Sequence, residues 1–389
     1  MIDDFLKKLL FLVLLLFAGN TKAQDSCNLR ISLLTCSPGD ELYSTFGHSA
    51  LRVVDSTGYT DLVYNYGTFS FEEPGFYTKF IRGKLLYYLS TEDFPSFRDM
   101  YKEDKRGMIE QVLNLTCSEK LKMVNLLYKN LEPANKYYKY DFLFDNCTTR
   151  LRDLLEMSAA IPVKYNEVIK KTSFRQLIHI YLDKNEKMWG KFGIDLLLGS
   201  RTDIVMNTRQ VMFLPDYLMY SFDTGRVGDK RIVHSKERPY VLPEQPAAKD
   251  FFTSPLFIFS LPLLLILVLS RSEHTFIRRL ILSFDGLFFF TTGIAGMLIL
   301  FMWFGTEHAM CRDNYNIIWA FPFHAVAAFF IQSRQTWVYR YFLITGVVNI
   351  AFLILWFLIP QGLNISFLPL ILLLIYRSFS HYYNLHSRA

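Results

Sequence analysis

Residues 280–303 of the chain read LILSFDGLFFFTTGIAGMLILFMW, and Asp285 is the one charged residue among them. A helix needs about 20 apolar residues to cross the hydrocarbon core of a bilayer, so this stretch predicts a transmembrane helix. It lies inside a C-terminal part, residues 251–378, that is almost continuously hydrophobic. We therefore predict a transmembrane domain over 251–378.

Four further apolar segments predict more spans and make an all-α bundle of about five transmembrane helices: 252–270, 317–331, 341–359 and 365–376. Arginines follow the first, third and last of the five spans, and Lys and Arg are enriched on the cytoplasmic side of membranes. The loops at 304–316 and near 360 are then expected to face outward. Residues 379–389 are expected to form a cytoplasmic tail.

The N-terminus predicts export. Lys7 and Lys8 precede a short apolar run, and Ala23 stands at a plausible cleavage point, so residues 1–23 read as a signal peptide. Residues 24–222 are then expected to form a periplasmic domain. Residues 223–250, polar and without clear periodicity, are expected to be the linker into the membrane. The chain is thus predicted to be a multi-pass protein of the inner (cytoplasmic) membrane with its N-terminal domain in the periplasm.

The exported part has an α+β pattern. Apolar runs at 29–34, 50–54 and 62–66 are bounded by turn residues and predict strands. Apolar residues at helical spacing between 121 and 131, and again between 151 and 155, predict helices. The fold class is therefore an α+β domain followed by the helical bundle.

The charge balance argues against a nucleic-acid partner. The 389 residues include 42 basic and 36 acidic side chains, a net charge of +6. Much of this excess lies between hydrophobic segments, where it marks the cytoplasmic side of a membrane. No metal or other cofactor is expected, because His179 stands in an apolar helical run and Glu307 with His308 is too sparse for a ligand set.

The stretch YDFLFDNCTTRLRDLL, residues 140–155, contains the strongest candidate for chemistry. Asp145 or Asn146 is suited to cap a helix, which would place Cys147 in its first turn. Unpaired N–H groups and the helix dipole favour a thiolate there, and the thiolate is the nucleophilic form of cysteine. A buried or disulfide-bonded cysteine is the alternative in an exported domain. The five cysteines are an odd number, so at least one is unpaired within the chain.

Two other segments supply the partners that a cysteine nucleophile needs. His48 in TFGHSALRVV stands at the start of a predicted strand, and Asn65 in DLVYNYGTF lies on the next one. A nucleophilic cysteine needs a base, and the base needs a polar group that fixes its tautomer. Cys147, His48 and Asn65 are therefore the parts of a papain-like site in circularly permuted order.

Several motifs together resemble the Bacteroides-type lipoprotein N-acyltransferase family, Lnb. They are LLTCSPGDELYSTFGHSALRV, DLVYNYGTF, FIRGKLLYYL, DFLFDNCTTRLRDLL, WGKFGIDLLLGSRTD and MFLP, together with the EHAMCRDNYN loop. The resemblance implies acyl transfer from a phospholipid donor to the N-terminal amine of a lipoprotein acceptor. It also implies Cys147 as nucleophile, His48 as base and Asn65 as the orienting group.

The outward loop offers candidate headgroup ligands. His308, Arg312, Asn314 and Asn316 are expected either to bind a phospholipid headgroup or to be solvated interfacial residues. Two other functions stay open at this level. The Cys147–His48 pair also suits a cell-envelope cysteine peptidase or amidase, and a structural Cys147 would suit a membrane-anchored binding module.

Overall fold

The N-terminal domain is built on a seven-stranded antiparallel sheet. The computed structural model describes residues 27–41, 44–241 and 251–386, so the predicted signal peptide lies outside the described residues. The strand order is β10-β5-β1-β2-β3-β4-β6. The strands are β1 Leu29–Cys36, β2 His48–Asp55, β3 Thr60–Thr68, β4 Leu86–Asp93, β5 Met108–Leu113, β6 Tyr137–Lys139 and β10 Val233–Tyr240. The three strands predicted from the sequence are confirmed as β1, β2 and β3.

Eight helices of this part of the described chain surround the sheet or follow it. They are α1 Phe76–Ile81, α2 Phe94–Glu103, α3 Cys117–Leu131, α4 Cys147–Ser158, α5 Phe174–Lys184, α6 Met188–Leu197, α7 Thr208–Val211 and α8 Pro215–Thr224. Alternation along β1 separates two cores: Leu33 packs with residues of α3 and α4, whereas Leu34 packs with Phe97 and Tyr101 of α2. The sheet is therefore covered on both faces, and its ends are where a site can open.

The predicted linker, residues 223–250, is wrong over most of its described length. Strand β8 Arg226–Val227 pairs with β7 Val163–Lys164 on one side and with β9 Lys230–Arg231 on the other, and β10 pairs with β5 as an edge strand of the main sheet. The sequence of β10 did not predict a strand because most of its residues are polar. An edge strand exposes much of its surface and is often charged. Glu237 pairs with Arg30, and Lys236 pairs with Asp223.

The C-terminal part is helical. Its helices are α9 Pro255–Leu269, α10 Thr275–Phe304, α11 His324–Ala327, α12 Thr336–Ile354 and α13 Leu368–His386. Among the described residues, three helices are long and apolar enough to cross a membrane, namely Thr275–Phe304, Thr336–Ile354 and Ile365–His386, the last including a 3-10 turn. Helix α9 is apolar but has only 15 residues.

The third predicted span, 317–331, is wrong as a continuous helix. It is divided into short turns around α11 and packs against α10, where Gly293 and Gly296 allow the two backbones to approach closely. A Cβ added at Gly296 would lie 1.9 Å from the carbonyl oxygen of Ala320. Irregular backbone of this kind is tolerated at membrane depth when protein surrounds it.

A buried ion pair joins α10 to α13. The Arg377 guanidinium donates to both carboxylate oxygens of Asp285, at 2.8 and 2.7 Å, and His381 lies 2.9 Å from the same carboxylate. Helix α13 continues to His386, so residues 379–386 of the predicted cytoplasmic tail are part of this helix.

Helix α6 joins the two domains. Phe192 packs against Phe259 and Phe367, with ring centroids 5.0 and 5.1 Å apart. Buried Asp195 accepts from Arg175 at 2.7 Å and from Asn364 at 2.9 Å. These contacts hold the N-terminal domain against one end of the helical bundle.

The two loops predicted to face outward both contact the N-terminal domain. Lys139 pairs with Glu307 at 2.7 Å, and the Glu307 N–H donates to the carbonyl of Arg82. Gln361 donates to the carbonyl of Leu198. Both loops thus lie at the end of the bundle nearest to the N-terminal domain.

We expect Gly296→Ala to lower the stability of the protein, because the added methyl group would displace the 317–331 segment. Overpacking of this kind costs about 1–3 kcal/mol. The measurement is the thermal unfolding midpoint in detergent. The matched control is Gly193→Ala in α6, where an added Cβ meets no atom within 4 Å and Ala favours the helix. Equal midpoints for the two variants would contradict the close packing at Gly296.

Candidate active site

Cys147 begins helix α4, and its position is fixed by the preceding residue. Asn146 is the N-cap: its side-chain oxygen accepts from the N–H groups of Thr148 and Thr149 at 3.0 and 2.9 Å. Its side-chain nitrogen donates to the carbonyl oxygens of Phe142 and Phe213, both at 2.7 Å. An N-cap of this type stabilises a helix by about 1 kcal/mol. The predicted capping is therefore confirmed for Asn146, and the cap is itself anchored to two other segments.

The Cys147 thiol is free and almost completely buried, with 8% of the residue exposed. Burial raises its pKa, because the charged form loses its hydration, while backbone N–H groups of Ser49, Thr148 and Cys147 itself lower it. Burial is the larger effect. The predicted thiolate is therefore wrong for this state of the protein, in which the thiol is protonated near neutral pH.

Gly67 makes room for the nucleophile. Its backbone φ is 92°, a value that residues other than glycine rarely adopt. A Cβ at this position would lie 3.8 Å from the Cβ of Cys147 and 3.5 Å from the ring of Tyr140. Regular pairing of β3 with β4 is interrupted just here, between Asn65 and Thr68. The distorted end of β3 thus forms one wall around the thiol.

His48 opens β2, as predicted, and is held by a chain of two hydrogen bonds. Its Nε2 lies 3.2 Å from Oδ1 of Asn65, and Nδ2 of Asn65 donates to Glu92 at 2.8 Å. Because Glu92 engages the amide nitrogen, the amide oxygen faces the imidazole, and a neutral ring then carries its proton on Nε2. Atom Nδ1 is left with the lone pair that a base needs.

The His48 ring is neutral near pH 7. Burial lowers its pKa to about 4, the hydrogen bond with Asn65 raises it, and the positive charge of Arg106 lowers it. A neutral imidazole is the form that accepts a proton. At the other end of this hydrogen-bond chain, the pKa of Glu92 is raised, because the effect of burial is larger than the opposite effect of the hydrogen bond from Asn65.

The structure brings the three predicted catalytic residues to one end of the sheet. The backbone N–H that acts on the Cys147 thiol belongs to Ser49, the residue directly after His48. Between these described side chains, however, no hydrogen bond joins the thiol to the imidazole. Near neutral pH the site thus holds a neutral thiol and a neutral imidazole, the two forms between which a proton transfer can generate a nucleophile.

The four candidate headgroup ligands separate into two kinds. Asn314 and Asn316 are buried and donate to the carbonyls of Leu196 and Asp195, both at 2.8 Å. Their expected role with lipid is wrong, because these amides satisfy the orphan carbonyls at the C-terminal end of α6. His308 lies 3.1 Å from the carbonyl of Ile81, and Arg312 is exposed. Only these last two keep side-chain surface for a ligand.

Sequence reasoning missed Glu92 and Gly67. Glu92 could have been noticed as an acidic residue in the alternating strand YLSTED. Its register partner on β3 is Val63, and Val63 lies on the same sheet face as Asn65, two residues further along β3. For a metal, the described ranges contain no group of three or more His, Cys, Asp or Glu residues placed to bind an ion.

Comparison with protein families identifies the chain. A family model described as the Lnb N-terminal periplasmic domain matches residues 18–180, and a model described as the Lnb transmembrane domain matches residues 247–388. The chain belongs to the Lnb family. It is a membrane protein with an N-terminal periplasmic domain, in which the Cys147, His48 and Asn65 constellation lies. Searches of curated proteins and of solved structures found no match.

We expect Cys147 to be alkylated slowly by iodoacetamide at pH 7, with a rate that rises about tenfold per pH unit up to pH 9, because its pKa is raised by burial. The measurement is site-resolved mass spectrometry of the folded protein in detergent. The control is the same peptide labelled in denatured protein. A rate at pH 7 above that of the control, or a plateau below pH 8, would show a low-pKa thiolate instead.

Proposed function

We propose that this Lnb-type protein is a lipoprotein N-acyltransferase that moves a fatty acyl chain from a phospholipid through a Cys147 thioester to a diacylated lipoprotein. One observation carries the proposal: a free thiol in the first turn of a helix lies at the same sheet end as the His48–Asn65–Glu92 chain. Family membership supports the coarser statement that the protein modifies lipoproteins.

The first step forms the acyl-enzyme. His48 accepts the Cys147 proton at Nδ1, and the sulfur attacks the carbonyl carbon of a phospholipid ester. The S–C bond forms, the ester C–O bond breaks, and the protonated His48 returns the proton to the departing alcohol of the lysophospholipid. The backbone N–H groups at the start of α4 are placed to stabilise negative charge near the thiol.

The second step discharges the thioester. The N-terminal amine of the lipoprotein attacks the thioester carbonyl while His48 takes one of its protons. The N–C bond forms and the S–C bond breaks. The proton then goes to the sulfur, which restores the neutral thiol and the neutral imidazole.

Lipid substrates would explain why the protein has a membrane domain. Both donor and acceptor are embedded in a bilayer, so the catalytic domain must be held at the membrane surface. Helix α6 supplies that attachment through Asp195 and Phe192. In this proposal the helical part is multi-pass in the inner membrane, with 317–331 as a broken crossing, and the catalytic domain has a permuted papain-like arrangement.

We expect purified protein incubated with phospholipid vesicles to gain the mass of one fatty acyl chain on the Cys147 peptide. Neutral hydroxylamine should remove it, because it cleaves thioesters, and a diacylated lipopeptide with a free amine should discharge it and become triacylated. Intact-protein and peptide mass spectrometry measure both steps. Cys147→Ala should abolish both.

Two outcomes would contradict this assignment. Cleavage of cell-wall peptides with no phospholipid-derived adduct would indicate a cysteine peptidase or amidase. Full restoration of lipoprotein acylation by Cys147→Ala in cells that lack the gene would make the cysteine structural.

Glu92 provides a test of the orienting chain. We expect Glu92→Ala to slow acylation of Cys147 on the order of tenfold, less than the 10²–10⁴-fold typical of a general base, because Asn65 loses the partner that orients its amide. Glu92→Gln retains an acceptor oxygen of the same reach and is the matched control. Rates are compared at equal amounts of folded protein. Equal loss in both variants would mean that the charge of Glu92, and not its acceptor, matters.

A further inference from the structure

A cluster of exposed aromatic side chains surrounds helix α1. Phe71 and Tyr77 expose 64% and 74% of their surface, and Phe80 exposes 46%. They pack around Phe76, whose ring centroid lies 4.8 Å from that of Phe71 and 5.2 Å from that of Tyr77. Contiguous exposed apolar surface of this kind marks a binding surface more often than scattered single residues do.

The cluster is connected to the nucleophile by further rings. Phe69 lies 5.8 Å from Phe76 and 5.4 Å from Tyr87, and Tyr87 stacks on Tyr140 at 4.5 Å. Tyr140 in turn borders Gly67, which borders Cys147. We call Phe71, Phe76, Phe69, Tyr87 and Tyr140 the aromatic row. It forms a continuous series of contacts from exposed surface to the buried thiol.

The outer end of the aromatic row lies beside the membrane domain. Helix α1 ends at Ile81, whose carbonyl lies 3.1 Å from Nε2 of His308. The N–H of Glu307 donates to the carbonyl of Arg82 at 2.9 Å. The apolar helix α10 ends at Phe304, three residues before Glu307, so α1 is held next to the point where that helix leaves the hydrocarbon.

One cation beside the cluster is available for an anion. Lys79 pairs with Glu73, and Lys84 and Lys139 both pair with Glu307. The Arg82 side chain is exposed and, within the described ranges, makes no ion pair. A guanidinium binds phosphate through charge-assisted hydrogen bonds.

We propose that the aromatic row is the route by which an acyl chain of a membrane glycerophospholipid reaches Cys147, with Arg82 binding its phosphate. This inference rests on the proposed function and adds the donor's path to it. The positive charge of Arg82 favours a phospholipid over the diacylglyceryl chains of a lipoprotein, which carry no phosphate.

The route solves a physical problem of the reaction. An ester bond of a bilayer lipid lies near the headgroups, while the thiol is buried inside a water-soluble domain. Withdrawing an acyl chain into water carries a free-energy cost that grows with each exposed CH₂ group. A continuous series of aromatic surfaces from the bilayer to Gly67 keeps the chain in contact with apolar groups as it moves.

The first test does not depend on catalysis. Full-length Cys147→Ala protein in nanodiscs is irradiated with a phosphatidylglycerol analogue that carries a photoreactive group in its acyl chain, and the labelled peptides are mapped. The proposal expects labelling within residues 69–87. Labelling confined to the helices α9 to α13 would overturn it, even if phospholipid acylation of the wild-type protein had been demonstrated.

The second test uses matched variants of the active protein. We expect Phe71→Ser and Phe80→Ser to slow acylation of Cys147 from vesicle phospholipid by at least about tenfold, the equivalent of about 1.4 kcal/mol, and to slow reaction with a water-soluble short-chain aryl ester much less. The control is Tyr220→Ser in α8, a residue that is also 46% exposed. Equal slowing with both donors, or in the control, would overturn the route.

Arg82→Gln tests whether the ligand of the aromatic row is a phospholipid whose phosphate binds Arg82. It should lower photolabelling of residues 69–87 by the phosphatidylglycerol probe several-fold and leave labelling by a diacylglycerol probe with the same chains unchanged. Labelling of this segment by a photoreactive diacylated lipopeptide, with none by the phospholipid probe, would assign the row to the acceptor and overturn the proposal.

Discussion

The attachment of helix α6 to the membrane domain is the constraint on which the rest of the structure depends. Asp195 is fully buried and is held by Arg175, His179 and Asn364, of which Asn364 alone belongs to the membrane domain. Loss of Arg175 would remove the permanent countercharge of this buried carboxylate, and breaking a buried ion pair in this way costs about 3–5 kcal/mol. Because this group is buried and held from both sides, the contacts of α6 fix the N-terminal domain, with its candidate catalytic residues, against the bundle.

Much of this organisation could be predicted from the sequence, because it depends on local patterns. The strands β1 to β3 alternate regularly, Asn146 has the chemistry of a helix cap, and three of the apolar segments form helices long enough to cross a bilayer. The predictions failed where a distant partner decides the structure. Strand β10 is polar because it lies at an edge, and the segment 317–331 is apolar but folds against Gly293 and Gly296, which sequence alone does not connect to it.

The same distinction applies to the site. Residue types identified Cys147, His48 and Asn65, since nucleophile, base and orienting group are each a chemical class. The protonation state depends on burial, which only the fold determines. For this reason the helix start at Cys147 suggested a thiolate, whereas the structure raises the pKa of the thiol and lowers that of His48. Asn314 and Asn316 show the same limit, because their amides cap α6 instead of facing lipid.

The burial of the Cys147 thiol would also protect the thioester that the proposed acyl transfer forms. A thioester is open to attack by water as well as by an amine, and water is far more abundant than any lipoprotein terminus. The burial that holds the Cys147 thiol protonated would also limit the access of water to a thioester formed on it. The shifted pKa values and the proposed lipid route therefore have one physical cause in common, the apolar surroundings of the Cys147 thiol.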